Sequence, residues 1–200
     1  MIGLAKKIGM TRLFIDGAST AVTSIKVADS FVLQTKSADK EGYNALQLGA
    51  FRKKNGNKAT LGHSKTHLGK EQAFGVISEF KDVDAGEKKV FTIKDFAEGD
   101  TLKITASTKG LGFAGGVKRW GFSGQPASHG HDHERAVGSI GATGPQRVFK
   151  GTKMAGRKGA DQKTLRNMKV VAVDAAQGLL FIKGSIPGAN SSVIKISKVN

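Results

Sequence analysis

Residues 109–159 read KGLGFAGGVKRWGFSGQPASHGHDHERAVGSIGATGPQRVFKGTKMAGRKG. They hold 13 of the 27 glycines of the chain. Lys and Arg dominate their charge, and their apolar residues follow neither period 2 nor period 3.6. Such a segment cannot bury enough apolar surface to offset the entropy of ordering it. A compact domain rarely carries a structureless stretch this long unless it is functional or disordered. The stretch is therefore expected to be an arm that becomes ordered on a polyanion.

The rest of the chain fits a folded body. Its 200 residues suit one globular domain, or one domain plus an appendage. The net charge is +16, which points to nucleic acid or an anionic membrane as partner. Residues 1–108 carry 17 basic and 12 acidic side chains, residues 109–169 carry 12 and 3, and residues 170–200 carry 3 and 1. The cations thus go nearly unbalanced only in the middle. Cysteine is absent, which removes disulfides and thiolate zinc sites and fits a reducing compartment. No apolar run approaches the roughly 18 residues of a membrane span, and the opening MIGLAKKIGMTRLF has no signal-peptide core. A soluble cytoplasmic protein is expected, with no membrane partner.

On either side of the arm the pattern is that of short strands. Met10–Phe14, Val22–Val27 and Phe31–Lys36 are candidates, each bounded by Gly, Asp or Ser, and Asn44–Ala50 is a further one. Asn55-Gly56 is a hairpin-type turn signal. Ser64–Ala73 could be a short helix capped by Ser64, weakened by Gly69. Phe74–Phe80, Lys89–Phe96 and Thr101–Thr108 return to strand; in the last, Leu102, Ile104 and Ala106 alternate with polar residues, so one face is buried. After the arm, Lys169–Asp174 and Leu179–Gly184 flank AAQG as a hairpin, and Ser192–Ser197 closes the chain. The expectation is a mainly β protein. Residues 1–108 plus 169–200 form one small antiparallel β-barrel, and a long, irregular, basic, Gly-rich extension, 109–168, is inserted between two of its strands.

Within the extension each motif has a functional and a structural reading. Gly110-Leu-Gly112-Phe-Ala-Gly115 matches G-x-G-x-x-G, but a dinucleotide site also needs a helix opening at the third glycine and an acid about 20 positions on. No helix is expected to start there, so the glycines are read as letting backbone approach phosphate closely. Lys118-Arg119-Trp120-Gly121-Phe122 joins cations to aromatics. Cations neutralise phosphates and rings stack on unpaired bases; equally, Trp120 and Phe122 could anchor the arm base in a core. His129, His131 and His133 alternate with Asp132 and Glu134, a pattern that invites metal, but a Gly-flanked loop among cations lacks the rigid elements and supporting hydrogen bonds a metal site needs. No metal is expected; the imidazoles are read as partners for phosphate or ribose. His63 and His67 are read as surface residues. Arg147, Lys150, Lys153, Arg157 and Lys158 follow no helical face and suit an extended chain threading between phosphates. The bland alternative is a solvated charge run. No nucleophile elbow and no Walker lysine occurs, so neither an enzyme nor a cofactor is expected.

Several of these motifs, in this order, resemble the bacterial form of the large-subunit ribosomal protein L-three family. MIGLAKKIGMTRLF is similar to its opening, FAEGDTLKITASTKGLGFAGGVKRWGF to its signature, ASHGHDHERAVGSIG and VFKGTKMAGRKG to the two sides of its arm, and DAAQGLLFIKGSIPGA to its closing hairpin. There are departures. A glycine is missing before Lys6-Lys7, Lys103 stands where Asp or Asn is usual, and Leu111 stands where a basic residue usually separates the two glycines. The tip, GATGPQRV, is the least typical part. Some bacterial members carry a methylated Gln there, but Gln146 follows Pro145 rather than preceding a proline, so that modification is not carried over.

The resemblance implies a barrel of the kind shared with translation factors, seated on the large subunit. It implies an extension running through rRNA toward the peptidyl transferase centre. It also implies a protein that binds 23S-type rRNA near its 3′ end, nucleates subunit assembly and neighbours ribosomal proteins L-fourteen and L-nineteen, with no small-molecule substrate. The rRNA contacts would come from Lys109, Gly110, Gly112, Lys118, Arg119, Trp120, His129, His131, Arg135, Arg147, Lys150, Lys153, Arg157 and Lys158. Gly141, Ala142, Thr143, Gly144, Pro145 and Gln146 would form the tip nearest the catalytic centre. The competing readings are a free-standing RNA-binding or chaperone module and an enzyme using the glycine loop for a nucleotide.

Overall fold

The computed structural model describes residues 1–15, 17–83 and 88–199. The chain is mainly β. In order it forms β1 (Ile2–Ile15), β2 (Ala18–Ala28), β3 (Ser30–Lys36), α1 (Ala38–Glu41), β4 (Ala45–Lys53), α2 (Lys58–Leu68), β5 (Ala73–Lys81), β6 (Val90–Phe91) and a 3-10 turn at Ile93–Asp95. There follow β7 (Thr101–Ser107), β8 (Phe113–Ala114), α3 (Gly116–Trp120), β9 (Gly156–Arg157), β10 (Gln162–Asp174), β11 (Leu179–Lys183) and β12 (Val193–Lys198). Contacts divide the chain into two compact units, one of Met1–Ser107 with Gln162–Asn200 and one of Thr108–Asp161.

In the first unit β1-β12-β7-β10-β11-β2 form a closed antiparallel barrel, because β1 pairs with both β12 and β2. The alternation read in β7 is real: Leu102, Ile104 and Ala106 point inward. They pack with Ile25, Leu180, Ile182, Ile194 and Ile196. The sequence reading put every strand into one barrel, and the structure differs. β5-β4-β3-β6 is a separate four-stranded sheet over a second apolar cluster, where Leu46, Leu48, Ala50, Phe80 and Phe91 meet Ile2 and Leu4. The opening strand β1 is buried on both faces there, so Ile2 and Leu4 serve the second cluster while Ala5 serves the barrel core.

Four local expectations are corrected. The helix near residue 64 is Lys58–Leu68, capped by Asn57, whose side chain accepts from the Thr60 amide at 2.8 Å. Asn55-Gly56 leads into that helix rather than turning a hairpin, and Gly69 is its left-handed C-cap. The strand expected over Lys89–Phe96 stops at Phe91, because a Thr92–Asp95 capping box starts the 3-10 turn. Finally, β10 begins at Gln162, so residues 162–168, assigned to the arm by sequence, pair with β7 from Gln162↔Ser107 onward. The AAQG hairpin forms as read, with Asp174 Oδ1 accepting from the Ala176 and Gln177 amides.

A candidate nucleic-acid interface

The unit of residues 108–161 has little core. Only Ala114 and Gly116 are buried in it, and every residue from 123 to 151 is exposed. Its order comes from hydrogen bonds at its base. The Thr108 amide donates to the Asp161 carbonyl at 2.9 Å, the Leu111 amide to the Lys158 carbonyl at 2.9 Å, and the Lys158 amide back to the Gly112 carbonyl at 2.9 Å. The β8–β9 ladder continues this pairing with Phe113 opposite Arg157 and Ala114 opposite Gly156. Gly159 is obligatory here, because at φ 76° an added Cβ would lie 2.1 Å from the Lys109 carbonyl oxygen. The glycine is needed for the close approach of the chain's own backbone at Lys109.

The expectation that no helix begins after the glycine motif is overturned. α3 starts at Gly116 with Gly115 as its N-cap. It lasts five residues, and the strand at Phe113–Ala114 lies inside the motif rather than before it, so the layout is not that of a dinucleotide fold. α3 carries three of the candidate residues. Arg119 Nη1 and Trp120 Nε1 both donate to the Met154 carbonyl, each at 2.8 Å. Lys158 Nζ donates to the Lys118 carbonyl. The Arg119 guanidinium lies 4.9 Å from the Trp120 ring centre and Lys153 Nζ lies 5.8 Å from it. Trp120 is 42% exposed, so it does not anchor a core. Phe122 is half-buried and rests on Gly116, where an added Cβ would sit 2.7 Å from the ring.

Thus Lys118, Arg119, Trp120, Lys153 and Lys158 are brought together, while the other candidates are spread out. Lys109, Gly110 and Gly112 lie at the base. His131 Nδ1 is 3.0 Å from Gln125 Oε1, and the Gln125 amide donates to the Glu134 carbonyl at 2.9 Å. Among the described residues no three His, Asp or Glu side chains are grouped to hold a metal ion. His129, Arg135 and Lys150 are exposed without side-chain partners among those residues. Gly141, Ala142, Thr143, Gly144, Pro145 and Gln146 form an exposed turn closed by the Gln146 amide donating to the Thr143 carbonyl at 3.1 Å. Arg147 stacks 5.0 Å from the Phe149 ring centre. Sequence reasoning missed Phe149, although its place two residues after Arg147 was a usable signal, and it missed the Met154 carbonyl, for which a side-chain alphabet holds no signal. His63, outside this unit, is also more than a surface residue: its Nε2 lies 2.7 Å from Gln47 Oε1, and burial, then the neighbouring His67, lowers its pKa.

The electrostatics separate the two units. Residues 108–161 carry nine basic and three acidic side chains. All four ion pairs among the described residues (Lys36–Glu79, Lys65–Glu71, Lys88–Asp95 and Lys198–Asp100) lie in the other unit. The cations of 108–161 therefore make no ion pair with a carboxylate, over a surface that is glycine-rich and apolar only in spots. Such a surface matches a densely anionic polymer.

Comparison with known proteins gives the same direction. The family profile described as Ribosomal protein L3 matches residues 52–179. The large ribosomal subunit protein uL3 of Thermotoga maritima is 42% identical over 197 residues, covering 96% of this chain and 94% of that one. The protein of the same name from Bacillus cytotoxicus is 42% identical over 199 residues, with the same coverage. That from Desulfitobacterium hafniense is 41% identical over 197 residues, covering 96% and 92%.

Proposed function

The chain belongs to the ribosomal protein L3 family, and from that premise we propose that residues 108–161 are an arm that holds large-subunit rRNA. Members of the family are structural proteins of the large ribosomal subunit, not enzymes, and the place of this chain is the ribosome in the cytoplasm. The finer reading is that it binds 23S-type rRNA near the 3′ end and helps nucleate assembly. Its barrel, of the translation-factor kind, sits beside proteins L14 and L19. The turn at 141–146 reaches toward the peptidyl transferase centre.

The observation that carries the arm reading is the run from 123 to 151 in which no side chain is buried, set among nine basic side chains that form no ion pair. A segment without a core does not pay for its own order, and cations without carboxylates gain most by releasing the counterions of a polyanion. The base at α3, β8 and β9 gives the arm a fixed start, and the rest orders on RNA.

Salt dependence tests this. If about eight arm cations meet phosphate, the log–log slope of affinity for an rRNA fragment against salt is about −6 to −7, between the single-strand and duplex coefficients. A slope near −1 would remove the arm as the main contact.

A further inference from the structure

The most exposed large hydrophobic side chain among the described residues is Phe113, at 80%. It is not on a loose loop. The β8–β9 ladder holds it, with the Leu111–Lys158 and Lys158–Gly112 hydrogen bonds on one side and the Ala114↔Gly156 pair on the other. Side chains alternate along a strand. Ala114 is the buried member at 3%, so Phe113 is turned to the opposite, solvent face. The fold thus spends its one short ladder in this unit holding a phenyl ring in water.

The surroundings of the ring indicate what covers it. Its cross-strand partner is Arg157. Directly opposed residues of an antiparallel pair project to the same face with Cβ atoms about 5 Å apart, so an exposed guanidinium stands beside the exposed ring. Among the described residues Arg157 makes no ion pair, and no cation or second ring lies over Phe113. Trp120 and Phe149 differ, since each already has a cation stacked on it. Phe113 therefore offers unoccupied π-surface next to a phosphate-binding group. A protein neighbour would favour a contiguous apolar patch, whereas here the side chain paired with the ring is a cation.

We propose that Phe113 and Arg157 form a nucleotide-sized site in which an unpaired rRNA base stacks on the Phe113 ring while its phosphate meets the Arg157 guanidinium. This rests on the rRNA-binding reading above and adds a stacking contact to it. Stacking is tolerant of base identity, because every base has a π-face.

The test is binding of a large-subunit rRNA transcript by the full chain, read as Kd over a range of salt. Phe113→Ala and Phe113→Leu each weaken binding by about 5- to 150-fold, the range measured for loss of one base–aromatic stack. Phe113→Trp retains affinity. None of the three alters the salt slope, because no phosphate contact is lost. Lys150→Ala is the contrasting variant and makes the slope shallower by about 1. Circular dichroism matching that of the parent shows that each variant is folded. The site is overturned if Phe113→Leu binds like the parent, since any apolar side chain would then serve. It is overturned, with the rRNA-binding reading intact, if Lys150→Ala changes the slope while Phe113→Ala leaves Kd unchanged. Normal RNA affinity of Phe113→Ala, with loss of its incorporation into subunits, would assign the ring to a protein neighbour and overturn it as well. A parent slope near −1 would remove the underlying reading first.

Discussion

Lys7 is buried while its neighbour Ile8 is nearly half exposed. Strand alternation over KKIGM would put Ile8 inside and Lys7 out, so this inversion could not be read from hydrophobicity. Its cause is the phase set by Ala5: alternation from that barrel-core residue leaves Lys6 exposed and carries Lys7 inward, and the register shift of the β1–β2 ladder falls only after it, between Lys7 and Gly9. The ammonium is then used: Nζ donates to the Ile186 carbonyl at 2.6 Å and to the Gly188 carbonyl at 3.1 Å. Lys7→Met keeps the stem and removes the donor, leaving two buried carbonyls without it. The expected loss is about 1–3 kcal/mol, measured as a lower urea midpoint with an unchanged slope. Equal midpoints would show that the ammonium is dispensable. Trp120 was undecided in the sequence for a related reason. Its stacking cations were visible as Arg119 and Lys153, but the acceptor that orients it is a backbone carbonyl 34 residues away.

Elements were legible where side chains carried the pattern and illegible where backbone did. β7 was found at its true ends, give or take one residue, because Leu102, Ile104 and Ala106 alternate. The start of β10 was not found, because Gln162–Arg166 are polar or half-exposed and the strand there is held by the β7 backbone. The helix α2 was placed six residues late. Ser64 looked like a cap, yet it is a buried mid-helix residue whose hydroxyl donates to the Leu61 carbonyl at 2.9 Å and accepts from the Gln72 amide at 3.0 Å. The true cap, Asn57, stands directly after the Asn55-Gly56 turn signal, which masked it. Gly56 beside it packs so closely on Ala73 that an added Cβ would lie 2.6 Å from the alanine methyl. Asn57→Ala removes the acceptor for the Thr60 amide and costs about 1 kcal/mol. Hydrogen exchange at Thr60 should quicken first; exchange there as slow as in the parent would mean that the cap contributes nothing.

At the scale of the whole molecule the decisive fact is where the apolar clusters draw their members. Both are built only from residues 1–107 and 162–200. The insertion was legible from its glycines and its charge, but its far limit was not, because the cations continue into β10 as Lys163, Arg166 and Lys169. Charge reports what a segment binds, and pairing reports where it belongs. The difference can be measured with two deletions. Replacing 109–160 by a short turn leaves Ser107 opposite Gln162 and removes no member of either cluster. That chain should keep its β-type circular dichroism and unfold cooperatively near the parent midpoint. Replacing 110–168 also removes Leu165 and Met168, which pair with Ile104 and Leu102, and it strips β7 of the first half of its partner strand. Opening a barrel strand in this way exposes an unpaired edge and the core beneath it, so the second chain should unfold at clearly lower urea or precipitate. If the two deletions behaved alike, the boundary would not lie at Gln162. If the first lost its circular dichroism, the barrel would depend on the arm after all.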